Sequence, residues 1–367
     1  MKVVRVLPCR TEKRKERLMN KESIKALVKK VNDYWMAERP EPQDSHWKRA
    51  AYFIGCVSAY EMLGDRKYLD FAIKWAHANN WDYSKNGKCW DYSGKERFVS
   101  HPSYENADTQ LCAETYFRIL DADPDCGGTD ERIKTGMERC LADKRTNHWW
   151  WVDTIYMAFP FYHMYAKRYN DPRSIEKVHG LFTDSRTHRA CYDEEEHMWF
   201  RDENYLPVVI KTPNGKKVFW GRGNGWVIGG LARAFEHMPE NFKYYDEYKT
   251  VFTDMAEALI KYQREDGFWN CSIIDEDDFG GPETSATVLI SYALAKGINL
   301  GLLDKETYLP VVIKAYEGMC NIAVTEEGRI GYVQGVAGWP GPVYPEGTED
   351  YAYGAFTLLS AELLKLI

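Results

Sequence analysis

The sequence predicts an all-α fold, an (α/α)6 barrel of six helical hairpins closed into a ring, with short β-ribbons in the loops at one end. Three observations predict it. Six times, a polar or aromatic turn runs straight into an aromatic-rich apolar helix, near His46, Glu105, Trp151, Gly221, Pro282 and Thr348. These starts recur at intervals of roughly 45 to 70 residues, the mark of a repeat architecture with insertions. A more polar helical segment follows each of the first five, and another precedes the first, so the helices pair. Each pair buries its apolar face only against its neighbours, and six pairs close a ring.

Residues 21–36 place Ile24, Leu27, Val28, Val31 and Tyr34 or Trp35 on one stripe, an amphipathic outer helix. The inner segments are HWKRAAYFIGCVSAYEML, ENADTQLCAETYFRIL, WVDTIYMAFPFYHMY, GRGNGWVIGGLARAF, PETSATVLISYALAKGI and TEDYAYGAFTLLSAELL. Outer helices are expected around 68–79, 131–142, 171–182, 244–262 and 308–323. Asn170-Asp171-Pro172 marks one start, with Pro where its missing N–H costs little. The N-terminal helix would then pair with the last inner helix. NGKCWDYSG, HMWFRDENYL, EDGFWNCSIID and EGRIGYVQGVAG suggest short ribbons or extended loops stacked at the inner-helix N-termini.

No Pro/Gly/Ser-rich linker divides the 367 residues, so 21–367 reads as one catalytic domain behind a tail of residues 1–20. The net charge of −7 argues against a nucleic-acid partner, and the one basic cluster, Arg10 to Arg17, is short and terminal. No apolar run reaches membrane-span length, and the first residues lack a secretory core. Nine cysteines without paired spacing suggest reduced thiols and a cytoplasmic protein, a monomer or weak homo-oligomer. The anomaly is aromatic content: 13 Trp and 25 Tyr in a chain that is 14% aromatic. Indole and phenol rings match the apolar faces and hydroxyl rims of sugars, although a large helical ring can use them as filler.

The turns carry the candidate chemistry. Asp153 opens an inner helix behind Trp149, Trp150 and Trp151. It is either a routine cap or a carboxylate whose hydration is stripped by indoles, which favours its neutral form. Asp108 opens another inner helix at the same level, and two carboxylates in one cavity push their pKa values apart. In FWGRGNGWV, three glycines would let backbone approach a ligand, with Arg222 as a planar fork and Trp220 and Trp226 as stacking plates. It is no dinucleotide fingerprint, since the third glycine spacing is wrong. Arg201, Asp202 and His197 lie in HMWFRDENYL, and Glu283, Thr284 and Ser285 read first as a capping cluster. His101, His148 and His197 show no facing pair of the kind an epimerase would want. No zinc spacing is present, and Phe279 and Ala286 sit where a calcium loop needs oxygen ligands. Neither a metal nor an organic cofactor is expected.

Taken together, WWWVDTIYMAFP, HMWFRDENYL, KKVFWGRGNGWVIGGLARAF, PETSATVLISYALAKGINLGLL and YGAFTLLSAEL resemble family 105 of the glycoside hydrolases, the unsaturated rhamnogalacturonyl hydrolases. The related unsaturated glucuronyl hydrolases, acting on ulvan or glycosaminoglycan fragments, are similar. The resemblance implies an (α/α)6 barrel that removes a 4,5-unsaturated uronic acid from the non-reducing end of lyase-made oligosaccharides. It implies Asp153 as proton donor and base, Asp108 as its partner acid, and Arg222, Trp220, Trp226, Trp151, Arg201 and Asn224 as substrate-binding residues. Members carry a His in an H-x-W-D loop where this chain reads Trp199-Phe200-Arg201-Asp202, so that role is vacant or taken by Arg201. A non-catalytic carbohydrate-binding toroid is the reading from another class.

Overall fold

A computed structural model of the chain describes residues 20–84 and 104–367, together with the backbone of 88–90 and 96–98. The inner helices are α2 (Trp47–Leu63), α4 (Ala107–Ala122), the broken pair α6 (Thr154–Met157) and α7 (Phe159–Tyr169), α9 (Gly221–Ala234), α11 (Thr284–Asn299) and α13 (Asp350–Leu366). Each packs on the next, and α13 returns to α2, so the ring is closed. The outer helices are α1 (Lys21–Glu38), α3 (Arg66–Ala78), α5 (Glu131–Ala142), α8 (Pro172–Thr183), α10 (Tyr245–Ile260) and α12 (Lys305–Ile322). Helix α1 packs on α13 and α2, as the pairing from sequence requires. The fold is an (α/α)6 barrel.

Periodicity explains which helix faces in. Helix α11 (TSATVLISYALAKGIN) is buried all round, every residue from Thr284 to Ile298, with only small hydroxyl residues and Lys296 interrupting its apolar surface. Helix α8 (PRSIEKVHGLFT) buries one stripe, Ser174, Lys177, Val178, Leu181 and Phe182. The seam that closes the ring depends on glycine. A Cβ at Gly354 would lie 1.9 Å from the Ala51 carbonyl oxygen, and one at Gly55 would lie 2.4 Å from that of Gly354. Aromatic side chains fill the space between layers: Trp35 of α1 is fully buried and stacks on Tyr52 of α2. Burial of one such side chain contributes about 1.5–3 kcal/mol.

The third inner element is broken by its own sequence. Pro160 has no N–H to give the Tyr156 carbonyl four residues back. That carbonyl instead accepts a hydrogen bond from Arg233 Nη2 of α9 at 2.5 Å.

Strand content is low. Strand β1 (Lys88–Trp90) pairs antiparallel with β2 (Glu96–Phe98), and β3 (Tyr192–Asp193) with β4 (Met198–Trp199). The EDGFWNCSIID and EGRIGYVQGVAG stretches form only isolated bridges, Trp220–Ser272, Trp269–Glu283 and Val324–Ile330, within irregular loops. The basic cluster at Arg10 to Arg17, Cys9, the Cys89 side chain, His101 and most of NGKCWDYSG lie outside what is described. Among the described residues, no helix is long and apolar enough to cross a membrane.

Candidate active site

The N-termini of α4, α6 and α9, with the loops after β4 and before α13, surround a cavity of about 410 Å³. Asp108, Asp153, Trp151, Arg201, Arg222 and Trp226 all line it. Four turns far apart in sequence therefore deliver their polar residues to one space.

Both carboxylates are freed from capping by their neighbours. At the start of α4, the Asn106 side chain takes the capping role and accepts the Asp108 N–H at 2.9 Å. Asp153 precedes α6 but makes no capping hydrogen bond, and its buried Oδ1 has no hydrogen-bond partner. The routine role open to an Asp at a helix start is not the one this side chain plays. Its turn is fixed by the main chain instead: Val152 N–H donates to the Arg201 carbonyl at 3.0 Å.

Burial and the negative charge of Asp153 push the Asp108 carboxyl up to about 7, against the pull of Arg201. Burial also raises Asp153, opposed by Arg201 and Arg222. Both half-buried acids are thus pushed toward their neutral forms.

The two arginines differ. Arg222 is 2% exposed, and its guanidinium is held by the carbonyls of Gln334 at 2.6 Å and Gly335 at 2.8 Å. It lies 4.6 Å from the Trp220 ring centroid. Two of its donors thus fix the 334–341 loop, which closes one side of the cavity. Arg201 donates to Asp202 at 2.5 Å, sits 4.9 Å from the Trp150 ring centroid, and leaves its buried Nε without a partner. Gly338 covers it closely, since a Cβ there would lie 3.1 Å from the guanidinium carbon. Arg201 is the cation with donors to spare.

Two residues expected in the pocket stand beneath it. Asn224 is fully buried and bonds Trp199 through both ends of its amide, from Trp199 N–H at 2.8 Å and to its carbonyl at 3.0 Å. It ties α9 to β4. Trp220 donates to Gln334 Oε1 at 2.8 Å and supports Arg222 from below. The glycines of GRGNG also serve packing, not ligand approach. Cβ atoms at Gly221, Gly223 and Gly225 would meet the Asn270 carbonyl, the Trp220 ring and Leu289. Trp149 belongs to the core against Tyr162. Glu283 is fully consumed as the α11 cap, accepting Ser285 and Ala286 N–H groups and that of Gln334. His197 contacts Tyr192 away from the cavity, and among the described residues no cluster of metal-ligating side chains occurs.

Trp47, Trp150, Asn204, Tyr205 and the loop from Val336 to Trp339 also line the cavity. Asp202 positions two of its walls: Oδ2 accepts from Arg201, while Oδ1 caps the turn 203–205 through the Asn204 N–H and side-chain amide. The D-x-N spacing in RDEN is a side-chain cap signal that reports this. Nothing local marks Trp47 or Trp339.

Glycosyl Hydrolase Family 88 is the family whose model matches the chain, over residues 19–367. The unsaturated 3S-rhamnoglycuronyl hydrolase of Formosa agariphila is 32% identical over 95% of this chain and 92% of that protein. A solved structure of a polysaccharide lyase is 33% identical, with a TM-score of 0.86, covering 94% of this chain and 97% of the other. A family 105 glycoside hydrolase of Clostridium acetobutylicum, 22% identical over 92% of this chain and 99% of its own, shares the fold with a TM-score of 0.72. Its own sequence and fold make this chain a member of glycosyl hydrolase family 88, a glycoside hydrolase.

Proposed function

We propose that the protein removes a 4,5-unsaturated uronic acid from the non-reducing end of lyase-made oligosaccharides by hydrating the C4=C5 double bond, with Asp153 moving the proton. The observation that carries this reading is the pair of uncapped acids beside a guanidinium in an indole-walled cavity. The name of the Formosa relative supports a uronate linked to rhamnose. All described cysteines are unbridged, which supports a reducing compartment.

The geometry suits the chemistry. The uronate carboxylate docks on Arg201, whose planar guanidinium lines the cavity. Docking neutralises the cation that holds both acids down, so Asp153, on which Arg201 is the strongest opposing charge, takes up its proton as substrate arrives. Asp153 then protonates C4, and positive charge develops at C5 and the ring oxygen. Asp153, now anionic, takes a proton from the water that adds to C5. The hemiketal so formed opens and releases the leaving sugar. A single acid serves both steps, so no second carboxylate at a fixed nucleophile distance is required.

The test is turnover of an unsaturated disaccharide in D2O. Loss of the enoate ultraviolet absorbance with one deuterium at C4 of the product is expected. Product without deuterium at C4 would contradict hydration. The likeness to a polysaccharide lyase favours a second reading, elimination on saturated uronides. A rise in ultraviolet absorbance with saturated oligosaccharides would establish it.

A further inference from the structure

The mouth of the cavity opens past Tyr205 and Trp339 into a second groove, also of about 410 Å³, which those two residues share with the active site. One wall is the excursion 205–218, carrying Ile210 and Lys211; the other is the turn 275–281, carrying Phe279; Pro340 adjoins Trp339. Large apolar residues with high exposure gather at this end. Val208 is 92% exposed, Val209 62%, Trp339 56%, and Ile210 and Phe279 more than 40%. A concentration of exposed apolar surface at one rim marks a binding surface.

The groove is built, not incidental. Fully buried Asp275 pins the two walls together, accepting hydrogen bonds from the Thr212 hydroxyl and from Asn214 Nδ2 at 2.9 Å. Phe279 is held at φ +59°, a left-handed backbone that a bulky side chain adopts only against steric cost. A glycine would remove that strain, yet the position presents an exposed aromatic ring to the groove. Lys211 lines it too and makes no ion pair among the described residues. Asp278, the other charged group lining it, makes no ion pair with Lys211 among the described residues.

We infer that this groove is a second carbohydrate site. It holds the sugar residues of the leaving oligosaccharide beyond the cleaved linkage, with Phe279 and Trp339 stacking on ring faces and Lys211 meeting an anionic substituent. Three features support that occupant: continuity with the cavity, aromatic plates at its rim, and a cation unopposed by a nearby pair. The inference rests on the function proposed above and makes the enzyme one for chains longer than a disaccharide.

The experiment compares the unsaturated disaccharide and tetrasaccharide from a lyase digest of a rhamnose–uronate polysaccharide. The wild type should show a kcat/KM roughly tenfold or more higher for the tetrasaccharide. Phe279→Ala and Lys211→Ala should erase most of that preference and leave the disaccharide within about twofold. Equal rates on both lengths in the wild type, or equal losses on both in Phe279→Ala, overturn the proposal. A desulfated tetrasaccharide identifies the anion: if the Lys211→Ala effect vanishes it is a sulfate ester, and if it persists it is a carboxylate. No Lys211→Ala effect on either overturns the role of Lys211. Should none of these substrates turn over, the catalytic reading fails separately. Calorimetric binding of the tetrasaccharide then decides the groove: weaker binding to Phe279→Ala supports it, and unchanged binding overturns it.

Discussion

The two ends of the ring bury charge in opposite ways. At the end away from the cavity, Arg233, Glu114, Arg118, Glu236, Lys296 and Glu362 form a chain of alternating sign across α9, α4, α11 and α13. Arg233 Nε is 2.9 Å from Glu114, Arg118 is 3.0 Å from Glu114 and 3.3 Å from Glu236, and Lys296 bonds both Glu236 and Glu362. Burial alone would raise Glu236, but Arg118 and Lys296 hold it down to about 2. At the active-site end, Asp108 and Asp153 share one cavity, and the arginines beside them are engaged elsewhere: Arg222 with main-chain carbonyls, Arg201 with Asp202. Asp108 rises to about 7. The same residue types are locked into structure where each charge is paired, and keep a perturbed carboxyl, the mark of a candidate functional site, where one is left over. A cavity of about 290 Å³ at the paired end is lined by Arg118, Glu236 and Glu362, and also by Glu61, whose carboxyl burial pushes up.

Substitutions at the two ends should therefore separate activity from stability. The largest effect is expected for Asp153→Asn, with kcat falling on the order of 10²–10⁴-fold and the thermal midpoint unchanged or raised. Steady-state rates and calorimetry on one sample check both. At the opposite end, Glu236→Gln removes the carboxylate shared by Arg118 and Lys296, which keep Glu114 and Glu362, and should cost about 1.5–3 kcal/mol in denaturant unfolding. Its kcat/KM per folded molecule should stay within about twofold. Loss of activity without loss of stability there would break the comparison.

Asp108→Asn sharpens it through pH. A carboxyl whose folded-state pKa lies above its unfolded value supports the fold at low pH, and that support is lost as pH rises through the folded value. For Asp108 the window runs from about 3.8 to about 7. The variant should match the wild type near pH 4 and exceed it at pH 8 by on the order of 1–3 kcal/mol in urea melts. Wild-type kcat should correspondingly decline as pH passes about 7 and the Asp108 proton is lost. The smallest effect is expected for Gly338→Ala. Its Cβ would press on Arg201, already fixed by Asp202 and Trp150, and should raise KM roughly tenfold with kcat little changed. Initial rates on the disaccharide test this.

The ring was legible because aromatic-rich inner segments alternate with more polar outer helices, a contrast visible without coordinates. The pocket acids were legible because turns before successive inner helices must lie at one end. What the turns do there was less so. Asn224 looks like a pocket amide, but its side chain bonds the main chain of Trp220 and of Trp199, the latter 25 residues away in sequence. The GRGNG glycines look like a ligand cradle, and only the neighbours of their absent Cβ atoms reveal helix packing. Glu283 and Asp350 also open inner helices, yet one caps α11 while the other is bound by Trp35 and Arg39. Trp47 and Trp339 reach the cavity from segments nearly 300 residues apart, a proximity set by ring closure alone.

Infrared difference spectroscopy of the carboxyl C=O stretch tests the central claim most directly. At pH 6 the wild type should show a protonated carboxylic acid that vanishes in Asp108→Asn and whose titration in Asp153→Asn shifts to lower pH. A wild type whose carboxyls are all ionised at pH 6, or an Asp108 titration indifferent to Asp153, would contradict the account.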